Sequence, residues 1–384
     1  MKKKIGILGS TGSIGSNLLR IIDKKNTKVV FLLARKNYKK IFSQAEKFNV
    51  KNIIITDNKS FENAIKNNKN KSFNIFNSNY DLEKIIKKKL DYVMSSITGI
   101  EGLKPTFDII KYTKKIAIAN KETLICAWPI IEKELKKNKT QFVPVDSEHF
   151  SIWSEIKNIN VDKIKKVYLT ASGGPLLKFK KIPKHVSFKK ILNHPTWKMG
   201  KKISVDSATM INKCFEVIEA KNIFKLDYKK IDILIHPESY VHAIIVYNNG
   251  ISKVILHDTT MKIPIFNTIY TNNEIYTGRN ILNLNKLNKL NLHNVMLNKY
   301  PVVSVLKKMP KHHSLFDTAV VSINDNIVKK YLEKKISFNE IAKYFLKLLS
   351  SNEYKKYKSI YPKNIDQVLS LNNHISLKIS KLFN

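Results

Sequence analysis

Apolar and polar positions alternate between two periods along the first 146 residues. KKIGIL at 3–8 predicts a buried strand. The turn GSTGSIG at 9–15 and a helical pattern in NLLRII follow it. KVVFLLA at 28–34 predicts a second strand. Further apolar runs fall at 53–56, 92–97, 115–120 and 142–146, with helical stretches between them. Strands that alternate with helices in this way predict an α/β region built on a parallel, doubly wound sheet.

After residue 146 the pattern changes. Strands are predicted at KKVYLTAS, DILIH, AIIVYN and KVILH, with helices at 150–157 and around 208–224, which makes an α+β region. Residues 271–297 are polar, Asn-rich and weakly patterned, and read as a linker. From 298 onward only helical periodicity is present, so a small C-terminal helical domain is expected. The expected division is therefore 1–145, 146–270, a linker at 271–297, and 298–384. A chain of 384 residues suits two or three domains.

Composition adds limits. The chain carries 69 Lys and Arg against 30 Asp and Glu, a net charge of +39. A nucleic-acid binder concentrates such charge on one face or tail. Here lysines are interleaved with Asn and Ile throughout, so nucleic acid is not expected as the partner. The charge still draws in anionic substrates. Two cysteines, Cys126 and Cys214, make neither a metal pair nor a disulfide framework and suit a reducing compartment. The first strand begins almost at Met1, leaving no room for a leader, and no apolar run reaches the roughly 18 residues of a membrane span. A cytoplasmic location without membrane partners is expected.

Three glycines, Gly9, Gly12 and Gly15, separate the first strand from the first helix. Such a turn lets backbone approach a pyrophosphate, and the helix N-terminus offers N–H groups to it. NAD-binding folds place a carboxylate at the end of the second strand for the ribose 2′-hydroxyl. This strand ends instead in Ala34, Arg35, Lys36 and Asn37. Two cations there suit a 2′-phosphate, which makes NADPH the expected cofactor.

PVDSEH at 144–149 places Asp146 and Glu148 two residues apart, on one face if the segment is extended. Carboxylates so aimed repel unless a cation or protons neutralise them. A third carboxylate comes from the helical stretch NKCFEVIEA, where Glu216 and Glu219 compete on spacing. Oxygen ligands without His or Cys suit Mg²⁺ or Mn²⁺. Ser172 in TASGGP, Ser207 in SVDSAT, Asn212 and Lys213 together could bind a phosphate, with Lys213 supplying charge and the others directed hydrogen bonds. Between these segments lies a long stretch containing His194, Trp197, Met199 and Gly200. Its length and weak patterning predict a mobile lid over about 173–203.

These motifs together resemble the 1-deoxy-D-xylulose 5-phosphate reductoisomerase family. The match runs through GSTGSIG at 9–15, ANKE at 119–122, PVDSEH at 144–149 and SGGP at 172–175. It continues through HPTWKMGKKISVDSATMINK from His194 to Lys213, then Glu216, and IHPESYVH at 235–242. The resemblance implies a Rossmann-like N-terminal domain, a central catalytic domain with a mobile loop, a C-terminal helical domain and a homodimer. It makes Thr11, Gly12, Ser13, Ile14, Lys36, Asn37, Asn120, Glu122 and Gly200 cofactor contacts, beside Arg35. Asp146, Glu148 and Glu216 become the metal ligands, which decides between Glu216 and Glu219. Lys121, Ser147, Glu148, Ser172, His194, Ser207, Asn212, Lys213 and Glu216 become substrate contacts. Lys121, Asp146, Glu148, His194 and Glu216 are the expected catalytic set. The implied activity is that of an NADP-dependent oxidoreductase. It rearranges 1-deoxy-D-xylulose 5-phosphate and reduces it to 2-C-methyl-D-erythritol 4-phosphate, a step of isoprenoid precursor synthesis.

Some positions depart from the family pattern. Arg35 stands where a Gly commonly precedes the Lys-Asn pair, and Cys214-Phe215 replaces a usual Gly-Leu before Glu216. A GxPDMRxPI-like stretch survives only as Met261, Lys262, Pro264 and Ile265, and an ALNAANE-like helix keeps Asn324 and a shortened acid, Asp325. The alternative reading is a basic RNA- or anion-binding protein on a decayed enzyme scaffold. The intact carboxylates, glycines and phosphate ligands argue against decay. A semialdehyde dehydrogenase would need an activated cysteine, and neither Cys126 nor Cys214 sits persuasively for that role.

Overall fold

A computed structural model describes residues 2–156, 159–197, 199–270 and 282–383. The chain divides into two compact units. One comprises Met1–Thr123, Ile131–Asp146 and Met261–Tyr276; the other comprises Leu124–Ile130, Ser147–Thr260 and Thr277–Asn384.

The first unit is built on seven strands: β1 (Lys3–Leu8), β2 (Thr27–Ala34), β3 (Asn52–Ile55), β4 (Asn74–Phe76), β5 (Tyr92–Ser95), β6 (Lys115–Ile118) and β7 (Gln141–Pro144). Their order is β4-β3-β2-β1-β5-β6-β7, and every pairing is parallel. The α/β, doubly wound sheet expected from the sequence is therefore present. Strands buried on both faces explain the unbroken apolar runs: Ile5, Ile7, Leu8, Leu32, Ile53, Val93 and Ile116 are all buried. The strand order reverses between β1 and β5, and ligands of such sheets bind at the carboxyl ends beside that switch point. Three strands end two residues earlier than the apolar runs suggest. Ser96, Ala119 and Val145, which follow them, each still donate a backbone N–H to the last residue of a neighbouring strand, Leu8, Ser95 and Ile118. The sequence pattern missed β4, an edge strand of only three residues that opens on Asn74.

Residues 261–269 return to this unit. The Lys262–Ile269 helix packs on the Ser13–Ile21 helix, and Thr268 bonds to Tyr92 across the core at 2.7 Å.

The second unit has a mixed sheet of β8 (Ile164–Ala171), β9 (Ile231–Ile235), β10 (Val241–Tyr247), β11 (Ser252–Leu256) and β12 (His293–Asn294), ordered β11-β10-β8-β9-β12. Only β8 and β9 run parallel. Helices Ser147–Ile156 and Ile211–Phe224 pack on this sheet. The C-terminal region is helical: Leu315–Leu332 packs against both Phe338–Leu349 and Ile365–Leu382. Ser314 and Asp317 form a reciprocal capping box that starts the first of these helices. Of the stretch expected as a linker, 271–281 lies outside the described residues. Leu284–Leu287 form a helical turn, and β12 pairs with β9.

One local expectation needs correction. Asp146 and Glu148 were expected on one face of an extended segment, with the helix starting at 150. The strand stops at Pro144, and a helix runs from Ser147 to Ile156. Glu148 therefore sits in a helix's first turn, where the helix dipole favours a carboxylate. The helix expected around 208–224 is likewise two helices, Lys201–Thr209 and Ile211–Phe224. They are separated by Met210 at a φ of 68°.

Candidate active site

In the first unit the glycine turn lies at the carboxyl end of β1. The Ser13–Ile21 helix has Gly12 as its N-cap residue, with no side chain capping it. Its first N–H groups therefore face outward for an anion. Gly15 is fixed by close packing: a Cβ there would stand 2.5 Å from the Gly9 carbonyl oxygen and 2.6 Å from Ser10 Cα. A cleft of about 1080 Å³ opens at this switch point. Gly9, Thr11 and Gly12, Ala34 and Arg35 after β2, and Ser96–Thr98 after β5 line it. Asn37 caps the Tyr38–Phe48 helix through Lys40 N–H at 3.1 Å. Arg35 pairs with Glu101 at 2.5 Å, and Lys36 lies 3.9 Å from Asp57.

Asn120 is committed to the backbone around it. Its amide donates to the carbonyls of Ile97 and, at 2.7 Å, Gly99, and its oxygen accepts from Thr123 N–H at 2.6 Å. It braces the loop that forms one bank of the cleft. Glu122 is buried beside it in sequence. Lys121 pairs with Asp146, both mostly buried.

In the second unit a carboxylate–lysine cluster joins two helices. Lys213 Nζ lies 2.6 Å from Glu148 Oε1 and also pairs with Glu216. Ser147 Oγ donates to Glu148 Oε2 at 2.5 Å, and Asn212 donates to Glu216 Oε1 at 2.5 Å. Asp146 is one peptide bond from Ser147, so local backbone holds it beside Glu148. Asp146, Glu148 and Glu216 each offer a ligand oxygen, and these atoms lie within 4.8 Å of one another. Glu219 points elsewhere: its Oε1 lies 3.5 Å from Nδ1 of His149, whose Nε2 meets the Glu216 carbonyl at 2.8 Å. Sequence reasoning gave His149 no role, since a lone histidine in a helix carries no signal of its partners.

A second polar group gathers Ser172, His194 and Ser207. His194 Nε2 lies 2.9 Å from Ser172 Oγ and 3.1 Å from Ser207 Oγ. Its Nδ1 accepts from the backbone N–H groups of Thr196 and Trp197, at 3.2 and 3.0 Å. An accepting Nδ1 leaves the proton of the neutral ring on Nε2. Burial depresses the His194 pKa from 6.5 to about 4, so the ring is neutral at pH 7. The SGGP loop reaches this group because Gly174 has no side chain; a Cβ there would meet the Ser207 carbonyl at 2.9 Å. Tyr300 holds the loop from behind, donating to the Gly173 carbonyl at 2.9 Å.

Trp197 stands edge-on to His242 at 6.4 Å between ring centres, and His242 stacks on His257 at 3.7 Å. Gly200 is the N-cap residue of the Lys201–Thr209 helix. Cys126 and Cys214 are both buried and outside any disulfide, and burial pushes the Cys214 thiol up. No cysteine nucleophile is poised here.

A parallel sheet with a glycine turn at its switch point, in one chain with a carboxylate cluster and a neutral His–Ser group, defines a dinucleotide-binding oxidoreductase. The comparisons narrow the class. A family model described as 1-deoxy-D-xylulose 5-phosphate reductoisomerase matches residues 5–128, and two models of that enzyme's C-terminal domains match 142–224 and 256–376. A 1-deoxy-D-xylulose 5-phosphate reductoisomerase of Pelagibacter ubique is 52% identical over 386 residues, covering 99% of each chain. One from Clostridium tetani is 39% identical, covering 88% of this chain and 90% of its own. The solved Zymomonas mobilis enzyme, in complex with NADPH, superposes with a TM-score of 0.87 at 27% identity over all of both chains. A solved reductoisomerase in complex with NADPH, fosmidomycin and magnesium superposes at 0.90, with 28% identity and coverage of 99% and 98%. The chain belongs to the 1-deoxy-D-xylulose 5-phosphate reductoisomerase family.

Proposed function

We propose that this chain converts 1-deoxy-D-xylulose 5-phosphate to 2-C-methyl-D-erythritol 4-phosphate, using NADPH and Mg²⁺ or Mn²⁺, for isoprenoid precursor synthesis. The observation that carries this reading is the three-carboxylate cluster, in a chain that aligns end to end with named reductoisomerases. The donor set fits a hard divalent cation: among the described residues it is three carboxylates, with no thiol and no imidazole. The cleft fits a dinucleotide, with an uncapped helix N-terminus at one bank and Arg35 at the end of β2.

The chemistry supplied by these groups when bound is Lewis-acid stabilisation of the rearranging carbon skeleton and hydride donation to the aldehyde that results. The chain's own residues do the rest. Asp146, Glu148 and Glu216 hold the cation, and Asn212 orients Glu216. Ser172, Ser207 and the Nε2–H of His194 donate to the substrate phosphate, remote from the reacting carbons. Their binding energy then serves orientation. A neutral His194 suits this task, because it directs one donor without fixing a charge. Lys213 balances the carboxylates and presents its ammonium to the substrate, and Lys121 does the same beside Asp146. Thr11, Gly12, Ser13, Ile14, Asn37, Asn120, Glu122 and Gly200 shape the cofactor site, with Arg35 and Lys36 toward the 2′-phosphate. Trp197, backed by His242, closes the stretch 173–203 over the substrate and excludes water.

The reading includes a homodimer, supported by the family resemblance, and a cytoplasmic setting, supported by two buried cysteines that form no disulfide. No helix among the described residues is long and apolar enough to cross a membrane. The deciding experiment follows NADPH oxidation with 1-deoxy-D-xylulose 5-phosphate and added Mg²⁺, with the product identified. One NADPH consumed per branched tetritol phosphate formed, abolished by chelation, is expected. Oxidation that continues unchanged after chelation overturns the reading.

A further inference from the structure

Both cations at the end of β2 already have carboxylate partners. Among the described residues Lys36 has only the distant Asp57, at 3.9 Å. Arg35 is held much more closely, with Nη1 2.5 Å from Glu101 Oε2. The two residues of this pair reach each other from separate parts of the sheet. Arg35 follows β2, and Glu101 lies in the Ile100–Gly102 turn after β5. Strands β2 and β5 flank β1, so the pair spans the end of β1 where the glycine turn begins. Arg35, Glu101, Gly9 and Gly12 all line the one cleft. The ion pair is thus a strap across the nucleotide groove.

The strap contributes little to the fold. Both side chains are more than half exposed, at 59% and 57%, and exposed pairs have small net value because water screens them. Among the described residues the guanidinium makes no other hydrogen bond. What the pair does set is the state of Arg35 before a ligand arrives. A guanidinium binds a phosphate dianion through two parallel, charge-assisted hydrogen bonds, more strongly than it binds one carboxylate oxygen. A nucleotide with a free 2′-hydroxyl offers no such partner.

We propose that Glu101 is a built-in competitor for the cofactor's 2′-phosphate: it holds Arg35 across the empty groove, yields it when the phosphate binds, and recaptures it on release. This deepens the NADPH reading and rests on it. Glu101 lowers the affinity for 2′-phosphorylated nucleotides and hastens their departure. In a chain of net charge +39, which attracts anions generally, an internal carboxylate keeps the cofactor exchangeable.

Calorimetric titration of the full chain with 2′,5′-ADP and with 5′-AMP tests this without turnover. Glu101→Gln should bind 2′,5′-ADP about two- to fivefold more tightly than wild type, the range of an exposed ion pair, with 5′-AMP unchanged. Arg35→Ala should weaken 2′,5′-ADP, and the double variant should match Arg35→Ala alone. Wild type that binds both nucleotides alike overturns the NADPH reading itself. If wild type does discriminate, two results overturn the role of Glu101 alone. One is Glu101→Gln unchanged or weaker for 2′,5′-ADP; the other is a gain that persists in the double variant.

Discussion

Lys213 sets its ammonium 2.6 Å from a carboxylate oxygen of Glu148, with both side chains largely buried. The same ammonium pairs with Glu216. One buried cation thus neutralises two of the three carboxylates proposed to bind the metal. Removing it leaves like charges facing each other in a poorly solvated place. Lys213→Met should therefore lose about 3–5 kcal/mol of stability, the cost of breaking a buried pair. Millimolar Mg²⁺ should restore more stability to the variant than it adds to wild type, because the ion takes over the missing charge. Thermal midpoints with and without chelator measure this. Equal Mg²⁺ shifts in the two chains would count against a metal at these carboxylates.

His194 predicts a pH dependence with a definite sign. Burial lowers its pKa in the folded chain to about 4, from an ordinary 6.5. As pH falls, the unfolded chain takes up this proton first, so acid favours unfolding. The contribution is fully present above 6.5 and is lost between 6.5 and about 4. Denaturant midpoints of wild type should fall more steeply between pH 7 and pH 5 than those of His194→Gln, which has no titrating ring. Parallel slopes would show that His194 is solvated in the folded state.

The doubly wound sheet was legible because its strands are buried on both faces and read as continuous apolar runs. The ends of those strands were less legible. Val145 is as apolar as the strand before it, yet it leads into the helix that begins at Ser147. Apolar periodicity does not distinguish a strand's last residue from the first buried residue after it. Met210 broke an apparently continuous helix through a left-handed backbone, which no pattern of hydrophobicity reports. At the site, Ser172, Ser207 and Lys213 were recognisable as an assembly of polar donors. The Arg35–Glu101 pair was not, because the two are 66 residues apart and each looks like ordinary surface charge.

Gly15 tests the nucleotide turn. The atoms that a Cβ would strike belong to the backbone of Gly9 and Ser10 and cannot rotate away. Gly15→Ala must push the Ser13–Ile21 helix off the turn. A loss of about 1–3 kcal/mol in stability is expected from such overpacking, together with at least tenfold weaker NADPH binding, since the helix N-terminus no longer faces the pyrophosphate. Gly12→Ala, whose Cβ would stand 3.3 Å from the Gly9 oxygen, should perturb stability less. Fluorescence titration with NADPH and denaturant unfolding of both variants give the comparison. Equal stability losses would show that the packing at Gly15 is not what the turn depends on.

Glu216 and Glu219 lie on the same helix, both buried, yet they face different partners. Glu216 shares Lys213 with Glu148 and accepts from Asn212, whereas Glu219 faces His149. His149 also meets the Glu216 carbonyl, so its ring ties the Ser147–Ile156 helix to the Ile211–Phe224 helix. The two carboxylates should therefore fail in different ways. Glu216→Gln keeps its size and its neighbours but loses a charge that a divalent cation needs. Metal affinity should drop at least about 100-fold, beyond the effect of altering a residue behind the ligands, and turnover should nearly vanish while NADPH affinity stays close to normal. Glu219→Gln should retain the metal and much of the turnover but lose about 1–3 kcal/mol of stability, because His149 then faces an amide inside the core. Metal titration followed by calorimetry, beside thermal unfolding of both variants, separates the two roles. A Glu219 variant that loses the metal while the Glu216 variant keeps it would exchange the assignments.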